Sequence, residues 1–453
     1  MKSKRGLGHK RSHYVMFVIL LLSTFFIGLP DQTIFGKERT TIRFATFRST
    51  KAELNLFEAT IKEFEAVYPN IHVEVEPISF KDQQTFIISA IAAHSEPEVV
   101  TLLAPMVPHY AISGNLLPLT DVFNELGGKN DFYPIPIKLV TLQDNVYGIV
   151  LNTNGPVHWF RKDLLVQKRL QPPRTWEDLL HCAKTLTQDT DGDGKIDSYG
   201  TVVPYGRSSM TAWYFEALLW SNGGRIFDND LKVVFNSREN IETLNFMKEL
   251  AKYSPPGSAQ YSFAETMNTF TVGKAATTWY WGRLLNDVEQ KNPSLSDKIG
   301  AVLISKKNKV YKGGMDSIGI MKNSPHPELG KKFLKFFLQS DHYISFLHAP
   351  AGQFFPSRKS IAHSKSFLSH PLLSKHPDII KVLQEAAANT AMFTIEPGGV
   401  VNPYANNIET AHIIEDVVQR VLILGESPDK ALAWGEERMN KIVSELKEKE
   451  RRK

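Results

Sequence analysis

A single cysteine, Cys182, stands in 453 residues, so no internal disulfide can form and the fold must rest on a large core. Cys182 lies in an apolar helical spacing with Leu179, Leu180, Ala183 and Leu186, which marks a buried, inert thiol rather than a nucleophile. An excess of charge of one sign is nearly absent from the body of the chain. The net charge of +5 arises mainly in residues 1–36, where Lys2, Lys4, Arg5, Lys10 and Arg11 face Asp31 alone. The remainder is balanced to within one charge, which leaves no electrostatic footprint for nucleic acid. Lys447 to Lys453 reads as a solvated helix end. The patterns of common enzyme sites are missing too: no G-x-S-x-G elbow, P-loop, G-x-G-x-x-G or H-E-x-x-H occurs. His363, His370 and His376 are spaced too loosely for a metal site. A glycoside hydrolase leaves no local signature, because its two carboxylates are distant in sequence, so an exported carbohydrate-active enzyme stays as the alternative.

What is present is globular: 42% hydrophobic and 11% aromatic residues, enough for two or three domains. Residues 1–36 are expected to be a signal peptide or N-terminal anchor. Their basic run precedes Val15 to Leu29, which is signal-peptide length and short for a spanning helix. The positive flank stays inside, so the body is expected to be exported, periplasmic or tethered to the outer face of the cytoplasmic membrane.

Thr41 to Phe47 alternates as a strand, and Leu54, Phe57, Ile61, Phe64 and Tyr68 recur as one helical face. Ile71, Val73 and Val75 form a second strand, 82–93 a second helix, and Val99 to Leu103 a strand buried on both faces. This order predicts right-handed βαβ units and a parallel sheet. Its ligand belongs beyond the carboxyl ends of the strands, near Phe47, Arg48, Phe80 and Ala104. Further on, Val146 to Leu151 reads as a buried strand ended by the breaker cluster Asn152-Thr153-Asn154-Gly155-Pro156. Thr175 with Asp178 reads as a capping-box variant.

Two constellations carry chemistry. Asp189, Asp191, Asp193 and Asp197, with Gly194 between, match most of an EF-hand loop, but Gly200 replaces its bidentate Glu. A structural Ca²⁺ is one reading and a metal-free polar turn the other. The second is aromatic: Trp213, Tyr214, Trp220, Trp279, Tyr280 and Trp281. Amphipathic rings with few rotatable bonds suit the C–H faces of sugars, although core packing is the ordinary fate of any one of them.

In order and spacing, several pieces resemble family 1 extracellular solute-binding proteins of ATP-driven importers, the relatives of the maltose-binding protein. They are the Tyr147-Gly148-Ile149 strand, Trp159 to Leu164, Pro172 to Asp178 and Asp189 to Gly200. Tyr68 to Val75, Trp220 to Phe227, Phe270 to Ala276, Gly313 to Ile320 and Gln353 to Arg358 extend the likeness over roughly 41–450. Arg283 follows Gly282 where the family usually has an aromatic.

The resemblance implies an α/β, two-lobed periplasmic-binding-protein fold of type II, each lobe a mainly parallel sheet flanked by helices. It places residues 41–151 with 282–325 in an N-terminal lobe and 152–281 with 326–453 in a C-terminal lobe. Crossings are expected near 151–154, 275–282 and 315–330. The implied protein is a non-catalytic monomer that needs no cofactor. It carries a sugar, polyol or glycerol phosphate diester to membrane permease subunits served by a separate ATPase. A tethered sensor would share this body. The expected ligand set is Phe47, Trp213, Trp220, Tyr280, Trp281, Arg283, Gly314, Asp316 and Arg358. A carboxylate and a fixed guanidinium fork are the groups that read vicinal hydroxyls.

Overall fold

A computed structural model describes residues 39–451, so the leader expected over 1–36 lies outside the described residues. The chain opens as the sequence periodicity requires. Strand β1 (Thr40–Thr46) leads into helix α1 (Lys51–Val67), started by a capping box between Thr50 and Glu53. Strand β2 (Ile71–Pro77), helix α2 (Gln83–Ala92) and strand β3 (Val99–Leu103) follow. β1 pairs in parallel with both β2 and β3. Phe57 and Phe64 turn inward from α1, and the Phe57 ring meets Phe44 edge-on at 5.1 Å.

The strand predicted over 146–151 lies further along. It is β4 (Ile149–Asn154), all of it buried, so Asn152 and Asn154 extend the strand instead of breaking it. From there the chain crosses into a second sheet made of β5 (Val157–Arg161), β6 (Thr277–Tyr280) and β7 (Ile299–Val302) in the order β6-β5-β7. These three strands pair antiparallel, so the mainly parallel sheet expected of each lobe is not what the second sheet shows. Helix α3 (Trp176–Leu186) starts at the Thr175 and Asp178 capping box, and α4 (Ser209–Ser221) carries the first aromatics. Cys182 is buried in α3, and burial followed by the Asp178 charge pushes its thiol up to about 11, as an inert thiol should be.

The chain returns through β8 (Gly314–Ile320), which inserts antiparallel between β3 and β4. Strand β9 (Phe355–Pro356) closes the edge, giving a six-stranded first sheet ordered β9-β4-β8-β3-β1-β2. Two expected boundaries therefore move. Residues 277–280 and 299–302 belong to the second sheet, so the return crossing falls between Val302 and Gly314 rather than at 275–282. Helix α5 (Pro327–Phe337) packs on β1 and β3, with the Phe333 ring 5.7 Å from Phe44, so the first lobe extends past residue 326. Helix α6 (Pro377–Ala388) packs against β4, β5 and β7 and so spans both sheets. Among the described residues no helix is long and apolar enough to cross a membrane.

Candidate functional site

The carboxyl ends of β1, β4 and β6 meet the start of β8, and there a chain of polar contacts runs from the first sheet to the second. A bulge between Asp316 and Ser317 shifts the β4–β8 register, so that Asp316 stands opposite Asn152 and Ser317 opposite Val150. Asp316 is buried, with 2% of its surface exposed, and its Oδ2 accepts from Asn152 Nδ2 at 2.6 Å and from Arg48 Nη2. Asn152 Oδ1 accepts in turn from Asn154 Nδ2 at 3.2 Å, and Asn154 Oδ1 accepts from Trp281 Nε1 at 3.0 Å. Gly314 leaves room for this ladder, since a Cβ there would stand 2.8 Å from Asn154 Oδ1. The alternation of a strand places Asn152 and Asn154 on one face, which is why two amides can bridge two walls.

Each end of the ladder is lined by rings. On the first-sheet side the Arg48 guanidinium lies between the rings of Phe47 and Phe354, at 4.9 and 4.5 Å. Phe47 also meets Phe80 at 5.6 Å, and Phe80 is exposed. On the second-sheet side Trp213, Phe263 and Trp281 form a triangle with all three centroid distances 5.7 Å, and each ring is partly exposed. Trp279 and Tyr214 back this wall from the core, Trp279 lying 5.3 Å from Trp281. The arrangement offers apolar faces beside fixed amide and charged groups, the surface that a polyhydroxylated ring fits.

Comparison with known proteins decides the family. The family model described as bacterial extracellular solute-binding protein matches residues 49–342. The chain belongs to that family. A putative ABC transporter periplasmic-binding protein of Escherichia coli is 23% identical over 382 residues, covering 83% of this chain and 84% of that one. An arabinooligosaccharide-binding protein of Bacillus subtilis is 23% identical over 372 residues, covering 77% and 81%. The solved structure of an ABC transporter solute-binding protein from Thermotoga lettingae, bound with alpha-D-tagatose, shares the fold. Its TM-score is 0.71 at 23% identity, covering 90% of this chain and 100% of that one. The two-lobed type II periplasmic-binding fold expected from the sequence is the fold observed, and its family is one of binding proteins.

Within this solute-binding fold the structure separates the expected residues. Phe47, Trp213, Trp281, Gly314 and Asp316 come together around the ladder. Trp220 does not: it is fully buried, and its Nε1 donates to Glu396 at 3.0 Å, which makes it core. Tyr280 is buried on the opposite face of β6 from Trp279 and Trp281, and burial raises its hydroxyl to about 12. Arg283 is exposed at the start of the helix Arg283–Lys291, near enough to act on Tyr280. Arg358 is not in the ladder. Its Nε donates to Asp131 Oδ2 at 3.0 Å, and Ser360 holds the same carboxylate, so the pair clamps residues 128–131 to 358–360. His376 links the helices Pro371–Lys375 and Pro377–Ala388, and it is buried and bonded to Glu289 and Ser296.

Sequence reasoning placed Arg48 at the expected ligand end of the first strand but missed the contacts of Asn152 and Asn154. The signal was there in Asn152-Thr153-Asn154, two amides at strand spacing directly after an apolar run. Of the acidic loop, Asp189, Asp191 and Asp197 bring carboxylate oxygens within 4.8 Å of one another, while Asp193 turns to Lys195 at 3.6 Å. A cavity of about 330 Å³ lies between Lys138 and the segment 389–399, and its lining residue Ala391 accepts the Gly313 N–H at 2.9 Å, next to the Asn154 end of the ladder. It shares no lining residue with the aromatic wall, and Lys138 Nζ donates to Gly399 O at 2.9 Å beside it.

Proposed function

We propose that the chain is the extracellular binding subunit of an ATP-driven importer, capturing a neutral sugar or oligosaccharide against the Trp213, Phe263 and Trp281 wall. The observation that carries this reading is the ladder from Arg48 to Trp281, whose two partly exposed ends hold a guanidinium and an indole on different sheets for one ligand to bridge. Binding energy from such contacts favours the closed arrangement of the lobes over the open one. The closed form would then dock as a monomer on permease subunits served by a separate ATPase, from the periplasm or from a membrane tether. The names of relatives that bind oligosaccharides support the ligand class.

At the ladder and the Asp131 clamp, charge favours a neutral ligand over a glycerol phosphate diester, which leaves exposed Arg283 as the group an anion would use. Arg48 is neutralised by Asp316 and Arg358 by Asp131, so neither has a charge to spare for an anion. Tryptophan fluorescence and thermal melting of residues 37–453 against sugars, polyols and glycerophosphodiesters test the reading. A saturable response to one neutral class supports it, and a response to anions alone overturns it. Return of the sugar intact after long incubation, read by mass spectrometry, separates the receptor from a carbohydrate-active enzyme. The Asp189, Asp191 and Asp197 group is assigned a stabilising calcium rather than a part in ligand selection.

A further inference from the structure

Directly behind the aromatic wall lies a buried ion pair. Lys312 is buried, its Nζ stands 2.5 Å from Glu216 Oε2, and Glu216 has no exposed surface. The same ammonium faces two rings, 5.6 Å from the centroid of Trp213 and 5.5 Å from that of Trp220. Trp213, Glu216 and Trp220 follow at i, i+3 and i+7 along α4, so they form one helical face, and Lys312 lies across it. The Lys312 backbone is itself fixed. Tyr311–Lys312 pairs in parallel with Thr390–Ala391, and the next residue, Gly313, donates its N–H to Ala391 O at 2.9 Å. Four residues after Lys312, Asp316 anchors the ladder. One short stretch thus reaches both the back of the wall and the centre of the polar chain.

Charges taken out of water are costly, and packed apolar side chains often hold a fold as well as a buried pair does. Stability alone therefore leaves Lys312 unexplained. A desolvated ammonium over an indole, by contrast, is a strong and directional contact. Of the two rings it faces, Trp220 is fully buried and tied to Glu396, whereas Trp213 is partly exposed in the wall beside Phe263 and Trp281. We infer that Lys312, held in place by Glu216, is the positioning residue for Trp213 and presets the wall before a sugar arrives. A preset ring gives up less freedom on binding, which tightens affinity with no contact to the ligand. The inference deepens the binding reading above and rests on it for its ligand arm. Burial pushes Glu216 up to about 8 against the pull of Lys312, but a carboxyl in either form accepts from the ammonium, so the cation faces the rings in both.

Lys312→Met combined with Glu216→Met removes both charges and leaves no lone buried ion, and melting with circular dichroism confirms that the variant is folded. Should it fail to fold, Lys312→Met alone serves, since the raised Glu216 carboxyl takes up a proton near neutral pH once its cation is gone. In ligand-free protein the indole N–H resonance of Trp213, assigned with Trp213→Phe, is expected to broaden or split in the variant. Kd for the best neutral ligand is expected to rise about three- to thirtyfold, the range that one desolvated cation–ring contact supports. In a Trp213→Ala background the same changes should move Kd by less than about twofold, because the ring through which Lys312 acts is gone. A Kd within about twofold of the parent overturns the inference. So does an equal loss of affinity in the Trp213→Ala background, which would make the pair a fold contact only. If no sugar binds, the resonance decides. A broadened or split signal then supports the positioning role and overturns the carbohydrate reading, and an unchanged signal overturns both.

Discussion

Replacing Trp281 by Ala isolates the aromatic wall. The side chain packs against Trp279, Trp213, Phe263 and Tyr280 at centroid distances of 5.3 to 5.8 Å and stays partly exposed. An indole presents about 150–250 Å² in all. If a ligand covers ~50 Å² of the open face, the lost transfer term at ~25 cal/mol per Å² is about 1.3 kcal/mol. The substitution also removes the donor to Asn154 Oδ1, which adds about 0.5–1.5 kcal/mol by freeing one end of the ladder. Together these weaken binding by about 2–3 kcal/mol, or about 30- to 150-fold in Kd. Trp281→Phe keeps a ring in the triangle but no donor, so it should lose about 1 kcal/mol, the hydrogen-bond part alone. Isothermal titration with the ligand found in the panel reads all three proteins, with circular dichroism and melting as folding controls. A folded Trp281→Ala protein within twofold of the parent Kd would remove Trp281 from the ligand face and refute the geometry argued here.

Asp316→Asn removes the charge on which Arg48 and Asn152 converge, and a hydrogen bond to a charged group is worth about 1.5–3 kcal/mol. It should lower both the melting temperature and the ligand affinity; a change in neither would mean that the ladder does not depend on that charge. Arg358→Ala breaks the clamp to Asp131, a carboxyl that burial raises but that Ser360 and Arg358 together hold below its usual range. The melting temperature should fall while Kd is unchanged, and a large loss of affinity would return Arg358 to the binding site. Chelation should lower the melting temperature and calcium restore it, with ligand selectivity the same throughout. Identical melts in chelator and calcium would leave Asp189, Asp191 and Asp197 as a polar turn.

Periodicity reads a fold where one physical demand dominates. Phe57, Ile61 and Phe64 must face the sheet, so α1 and the parallel β1, β2 and β3 were legible within a residue or two. The same logic failed at Asn152 and Asn154, because amides score as turn formers when their partners are unknown. Their partners, Asp316 and Trp281, lie 164 and 127 residues away, beyond any local window. Trp220 failed in the opposite direction. Composition grouped it with the wall, but the buried Glu396 that fixes its N–H lies 176 residues on, and only that contact turns an amphipathic ring inward. Arg358 shows the same limit for charge, since Asp131 neutralises it from 227 residues away. What decides whether a polar or aromatic residue serves the cleft or the core is therefore the long-range partner. The residues that hold this cleft together are those whose partners sit on the other side of a crossing strand.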